Sequence, residues 1–202
     1  MSQNDKKIIL VTGGIRSGKS SFAQRLVQPY GDHVRYIATA QAKDEEMEKR
    51  IVIHRQNRPK SWRTLEEPIH LAKLFYEDRS DDFDKQMNQE VASLIDCITL
   101  WISNILLQKD EQGKELWETE EGQKKVESMI DDFLHALTGH RYPVIIVTNE
   151  VGWGGIEMNP LGRVYQDILG WTNQKISNIA DEVYMVVSGI PVLLKGGIRN
   201  DQ

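Results

Sequence analysis

The sequence predicts an α/β fold, a mostly parallel sheet with helices on both faces, and three observations predict it. Short apolar runs of strand length alternate with stretches of 3.6-residue apolar period, the order that builds parallel strands joined by helical crossovers. A glycine-rich turn links the first such run to the first such helix. Several runs close on polar residues, Thr39, Asp96 and Asn149 among them, and open sheets of this kind bind ligands beyond the carboxyl ends of their strands. With 202 residues and 40% hydrophobic content, a single domain over residues 1–202 can bury a full core.

The decisive element comes first. Ile8-Ile9-Leu10 reads as a buried strand and runs into Val11-Thr12-Gly13-Gly14-Ile15-Arg16-Ser17-Gly18-Lys19-Ser20, which fits the phosphate-binding pattern G-x-x-x-x-G-K-[ST]. Gly13 and Gly18 let the backbone turn tightly and bring its N–H groups to phosphate oxygens, where a Cβ would intrude. Lys19 supplies a point charge for the β and γ phosphates, and the Ser20 hydroxyl suits Mg²⁺. A helix opening at Ser20 aims its positive dipole end at the same anion. The plainer alternative is a glycine turn that only joins strand to helix.

Phe22, Ala23, Leu26 and Val27 keep helical spacing, and Pro29 with Gly31 ends that helix. Val34 to Thr39 reads as the next strand, with Thr39 either a nucleotide contact or simply a β-branched strand terminus. From Asp44 to Asn57 a helix is expected, with Asp44, Glu45 and Glu46 in its first turn and Arg55 in its last. Met47, Ile51 and His54 share its inward face. Lys49, Arg50, Arg55, Arg58, Lys60 and Arg63 follow with no acid between them, either a holder of polyanionic phosphate or a solvated basic face. His54 is correspondingly either core or reactive.

Trp62 to Glu66 suggests a short extended segment, with Glu66 either an acceptor for a guanine donor pair or a plain surface acid. Pro68 to Tyr76 reads as a helix, and Asp78 to Glu90 as an acidic exposed loop. Val91 to Asp96 is an apolar strand closing on a carboxylate that can face Mg²⁺ or cap the helix that follows, Leu100 to Leu107. Lys109 to Glu121 reads as a loop, and Val126 to Leu137 as an amphipathic helix stopping near Gly139. Pro143 to Thr148 gives another strand. The loop after it, Val151-Gly152-Trp153-Gly154-Gly155-Ile156, suits either closure over a large substrate or a wide connection. Arg163 to Ala180 is expected helical and Val183 to Val187 a strand, after which Gly189 and Pro191 break the chain before Val192 to Leu194.

The remaining composition excludes several classes. A net charge of −5 and a pI near 5.6 argue against a nucleic-acid or membrane-surface binder. Cys97 is the only cysteine, which excludes an internal disulfide and a cysteine-caged zinc and suits a reducing compartment; its simplest reading is a small buried strand residue. Met1 to Lys7 is polar and no run approaches the length of a membrane span, so a cytoplasmic location is expected.

Taken together, Thr12 to Ser20, Arg50-Ile51-Val52-Ile53-His54-Arg55 with Arg58-Pro59, Trp62-Arg63-Thr64, Asp96 to Trp101, Thr148-Asn149-Glu150-Val151-Gly152, Asn173-Gln174, and Ala180 to Val183 with Ser188-Gly189 resemble one family across nearly the whole chain. That family is the bifunctional adenosylcobinamide kinase and adenosylcobinamide-phosphate guanylyltransferase of cobalamin biosynthesis. The resemblance implies a RecA-like P-loop NTPase sheet and a homotrimer. It also implies two steps: ATP or GTP phosphorylates adenosylcobinamide, then GTP donates GMP to adenosylcobinamide phosphate through a GMP adduct on the position matching His54. A neutral imidazole suits that attack. Nucleotide contacts implied in the same way are Gly13, Gly14, Ile15, Arg16, Ser17, Gly18, Lys19, Ser20, Ala38, Thr39, Arg55, Arg58, Glu66 and Asp96, with Mg²⁺ held by Ser20 and Asp96. Two departures stand out: a longer acidic loop between Glu77 and Val91, and G-W-G-G-I-E-M-N-P from Gly152 to Pro160 where the family usually has G-x-G-I-V-P.

Overall fold

The computed structural model describes residues 6–41, 58–77 and 92–197. Its strands are β1 (Ile8–Gly13), β2 (Val34–Ala38), β3 (Arg63–Glu66), β4 (Ala92–Asp96), β5 (Val144–Val147), β6 (Glu182–Val187) and β7 (Ile190–Lys195). Its helices are α1 (Lys19–Val27), α2 (Leu71–Glu77), α3 (Ile98–Leu106), α4 (Glu120–Thr138) and α5 (Pro160–Ile179). The strands form one sheet in the order β3-β2-β4-β5-β1-β6-β7. Every neighbouring pair is parallel except β6 with β7.

β5 and the Ile8–Val11 part of β1 are apolar without interruption because both of their faces are covered. Alternate residues divide between two cores: Ile8, Leu10, Ile37, Ile95 and Ile146 pack with α2 to α5, whereas Ile9, Val11, Tyr36, Leu94, Ile145 and Val147 pack with α1. The predicted two-sided α/β sheet is therefore present.

Boundaries differ where capping chemistry decides them. α5 begins at Pro160 rather than Arg163, because Asn159 accepts the Gly162 N–H at 2.6 Å and Pro160 fills a first-turn position where no donor is needed. α4 begins at Glu120 for the same kind of reason, with the Thr119 hydroxyl accepting from Gly122. The final apolar piece is no isolated fragment. Ser188 and Gly189 both take positive φ, 51° and 82°, and make the two-residue turn of a β6–β7 hairpin. Cys97 lies just past its strand, half-buried at the start of α3. The helix expected over 44–57 and the loop over 78–90 lie outside the described residues.

Candidate active site

The phosphate loop sits between β1 and α1 and is clamped by the strands on either side. Gly13 has φ 146°, and a Cβ there would lie 2.4 Å from the Val186 carbonyl oxygen of β6. At Gly18, φ is 96° and a Cβ would stand 3.2 Å from the Gly189 Cα at the hairpin turn. Gly189 donates its N–H to the Ser17 carbonyl at 2.8 Å, and on the β5 side Glu150 donates to the Gly13 carbonyl at 3.1 Å. Arg16 takes the left-handed conformation, φ 58°, which occurs in the backbone turns that hold anions. Two hydroxyl oxygens of this stretch, Thr12 Oγ1 and Ser17 Oγ, are buried with no hydrogen-bond partner, and buried polar atoms in that condition favour a site that completes them.

Lys19 is buried, and its ammonium donates to the Gly14 carbonyl at 2.6 Å. Burial lowers its pKa, and the neighbouring Cys97 and Asp96 act in the opposite sense. Asp96 closes β4 on the face that α1 covers, since Ala92 and Leu94, four and two residues earlier, point into the same core. Its Oδ2 accepts the Tyr36 hydroxyl at 2.7 Å. Burial pushes the Tyr36 phenol far above its usual pKa, with the Asp96 charge adding to the effect, so it remains a donor at any working pH. The Arg58 guanidinium carbon lies 3.4 Å from the centroid of the Tyr36 ring. A cation from the basic stretch and the strand-end carboxylate thus meet on one buried phenol.

Thr39 serves the same strand end differently. It is fully buried, and its hydroxyl donates to the Cys97 carbonyl at 2.7 Å while accepting the Cys97 N–H at 2.8 Å. Ala38 pairs with both Asp96 and Glu66, which aligns the three strand ends, and Glu66 is exposed there. Burial, reinforced by Asp96, pushes the Cys97 thiol up to about 12, so it stays protonated. On the opposite face, Asn173 accepts from the Thr148 hydroxyl at 2.8 Å and donates to the Asn149 carbonyl at 3.0 Å, while Thr99 accepts the Asn149 N–H at 2.8 Å. These bonds hold the end of β5 where it turns into the loop 151–159.

Of the expected site residues, Gly13 to Ser20, Ala38, Thr39, Glu66, Arg58 and Asp96 all belong to segments at the carboxyl edge of the sheet. His54 and Arg55 lie outside the described residues. Tyr36 and Gly189 are additions that sequence reasoning missed. The signal for Tyr36 was its parity with Ala38 in β2, which puts it on the α1 face; for Gly189 it was the Ser-Gly pair between two apolar runs.

Residues 9–194 match the family model described as cobinamide kinase / cobinamide phosphate guanyltransferase. The chain belongs to this family. Among its relatives, the bifunctional adenosylcobalamin biosynthesis protein CobP of Pseudomonas aeruginosa is 41% identical over 187 residues, 93% of this chain and 96% of that protein. The proteins named CobU from Escherichia coli and Salmonella typhimurium are 38% and 40% identical, each over 93% of this chain and 99% of the relative. Among solved structures, one ATPase domain is similar in fold alone, with a TM-score of 0.50 at 12% identity over 90% of this chain and 69% of that one. The fold of this family member is thus a mostly parallel sheet with its phosphate loop after β1 and with β5 between that strand and the one that ends in Asp96, similar to the fold of that ATPase domain.

Proposed function

We propose that this cobinamide kinase and cobinamide phosphate guanylyltransferase of cobalamin biosynthesis seats its nucleotide on Gly13 to Ser20 and forms its GMP adduct on His54. In the kinase step the adenosylcobinamide hydroxyl attacks the γ-phosphorus of ATP or GTP, the bond to the β-phosphate bridging oxygen breaks, and the nucleoside diphosphate leaves. Loop N–H groups and Lys19 hold the phosphates in line for that attack. In the second step a His54 ring nitrogen attacks the α-phosphorus of GTP and pyrophosphate leaves; a phosphate oxygen of adenosylcobinamide phosphate then breaks the P–N bond, giving adenosylcobinamide-GDP and free His54. Arg55 and Arg58 neutralise phosphate charge, Glu66 accepts from the guanine edge, and Ala38 and Thr39 shape the floor.

The observation that carries this reading is the position of Arg58. It stacks on Tyr36, whose hydroxyl binds Asp96, and His54 precedes it by four residues, so at most about 14 Å separates their Cα atoms. The residue chemistry also suits Mg²⁺. Asp96 keeps Oδ1 clear of hydrogen bonds from the described residues, Ser20 supplies a hydroxyl, and a phosphate-bound Mg²⁺ needs only one or two protein oxygens. When bound, the ion would neutralise charge on the β and γ phosphates.

A homotrimer in the cytoplasm completes the proposal. Its support is β7, an edge strand whose Ile190, Val192, Leu193 and Leu194 are 41–66% exposed, a surface that a second copy would cover.

The test is GTP labelled at the α-phosphate. Wild-type protein should retain label after denaturation and His54→Ala should retain none, while the alanine variant keeps much of its kinase turnover. Undiminished label on the variant removes His54 as the nucleophile.

A further inference from the structure

We propose that Trp153, Ile156 and Met158 form the platform on which the corrin macrocycle of cobinamide rests during both transfers; the proposal depends on the cobinamide kinase reading above. These three side chains are 76%, 83% and 91% exposed, although each is large and apolar. Single exposed apolar residues are ordinary, but three within six residues mark a surface that another molecule covers.

The loop that carries them is ordered by its own bonds. Gln166 of α5 donates through Nε2 to the Gly155 carbonyl at 3.0 Å and to the Val151 carbonyl at 3.4 Å, and its Oε1 accepts the Glu157 N–H at 3.1 Å. Arg163 donates to the Met158 carbonyl at 2.7 Å and to that of Glu157 at 3.3 Å. The backbone is tied to α5 at these points while the apolar side chains are left exposed. Such an arrangement costs water contact and is preorganised for a ligand.

Position and chemistry identify that ligand. The loop follows Glu150, whose N–H reaches the Gly13 carbonyl at 3.1 Å, so it leaves the sheet directly beside the phosphate loop. On the phosphate loop itself, Ile15 is 80% exposed and extends the apolar character. An acceptor for the γ-phosphoryl must place its hydroxyl at the end of the nucleotide, and a hydroxyl carried on a side arm leaves the body of the acceptor to one side. Cobinamide has that form: a broad ring with hydrocarbon faces and amide arms, one of which carries the hydroxyl. Between Val151 and Pro160 the only charged residue is Glu157, which suits a periphery of neutral amides. An indole offers the flat apolar face that a macrocycle can lie on. β7, a further exposed apolar surface among the described residues, belongs to the hairpin on the far side of β1.

The test compares wild type, Trp153→Ala, Trp153→Phe and the triple variant Trp153→Ala, Ile156→Ser, Met158→Ser. Kinase kinetics are measured with adenosylcobinamide, GMP-adduct formation with GTP alone, and oligomeric state by sedimentation. We expect KM for adenosylcobinamide to rise tenfold or more in Trp153→Ala and further in the triple variant, kcat to fall far less, and Trp153→Phe to recover most of the loss. Adduct formation, which involves no corrinoid, should change by less than twofold. An unchanged KM in the triple variant overturns the proposal. So does a parallel loss of adduct formation, which would put the loop on the nucleotide side, or a change of oligomeric state, which would give the surface to a second copy. Wild type that fails to phosphorylate adenosylcobinamide would overturn the kinase reading instead.

Discussion

The phosphate loop Gly13–Ser20 and the loop 151–159 leave the sheet side by side, joined by the bond from Glu150 N–H to the Gly13 carbonyl, and are built in opposite ways. In the first, backbone lines the concavity and two of the three glycines are enforced by contact, Gly13 against Val186 and Gly18 against Gly189, while Gly14 stands clear. In the second, side chains face outward and the glycines stand clear, with nothing within 4 Å of a Cβ at Gly154 or Gly155. Charge recognition needs dipoles fixed before the anion arrives, a task that suits constrained backbone. Recognition of a broad apolar ligand needs area, so it is done with exposed side chains. The two loops should therefore fail under different substitutions.

Removing the Lys19 ammonium is the sharpest way to break this contrast. Lys19→Ala should lower both transfers by about a hundredfold or more, the scale of losing a transition-state charge contact. Because burial already disfavours that charge, thermal stability should hold or rise. A fall in melting temperature alongside activity would mean that Lys19 is chiefly structural. The glycines come next. Gly13→Ala forces a Cβ against a backbone oxygen at positive φ and should cost about 2–4 kcal/mol in a denaturant titration. Gly154→Ala, in open space, should stay within about 0.5 kcal/mol. Equal effects at the two positions would erase the distinction between an enforced loop and a permissive one.

How far the sequence anticipates this end of the molecule depends on whether a residue acts through spacing or through contact. The phosphate loop is spacing alone: Gly13 ends β1, Gly14 to Gly18 make the connection, and Lys19 and Ser20 open α1. Asp96 was legible as the carboxylate on which an apolar strand closes, and it does end β4. Tyr36 was not: a tyrosine within a strand looks like any β-former, and only the pairing of β2 with β4 brings its hydroxyl to Asp96. Thr39 was legible as a strand end but not as a residue whose hydroxyl is committed twice to Cys97. β7 was legible only as a last apolar piece after the break at Gly189 and Pro191, and its edge position leaves it exposed. Exposure is a property of what lies beside a strand, and no periodicity within six residues encodes it.

Tyr36→Phe sharpens the comparison with the smallest change, one oxygen. The phenol is buried and packed, so phenylalanine keeps the ring under Arg58 and loses only the bond to Asp96 Oδ2. That carboxylate would then be free to rotate away from the nucleotide. Groups that orient a metal-binding carboxylate typically change metal affinity by about 10–100-fold when removed. The expected result is a Mg²⁺ requirement raised about tenfold, kinase kcat lowered about threefold at saturating Mg²⁺, and KM for adenosylcobinamide unchanged. This is the inverse of the pattern expected at Trp153, where the corrinoid KM moves and the metal requirement does not. A shared response, with Tyr36→Phe raising the corrinoid KM as much as Trp153→Ala does, would mean that the buried phenol and the exposed loop act on one rigid unit. Separate responses would make β4 and α1 the nucleotide's half of the site, with the β5–α5 connection left to the acceptor.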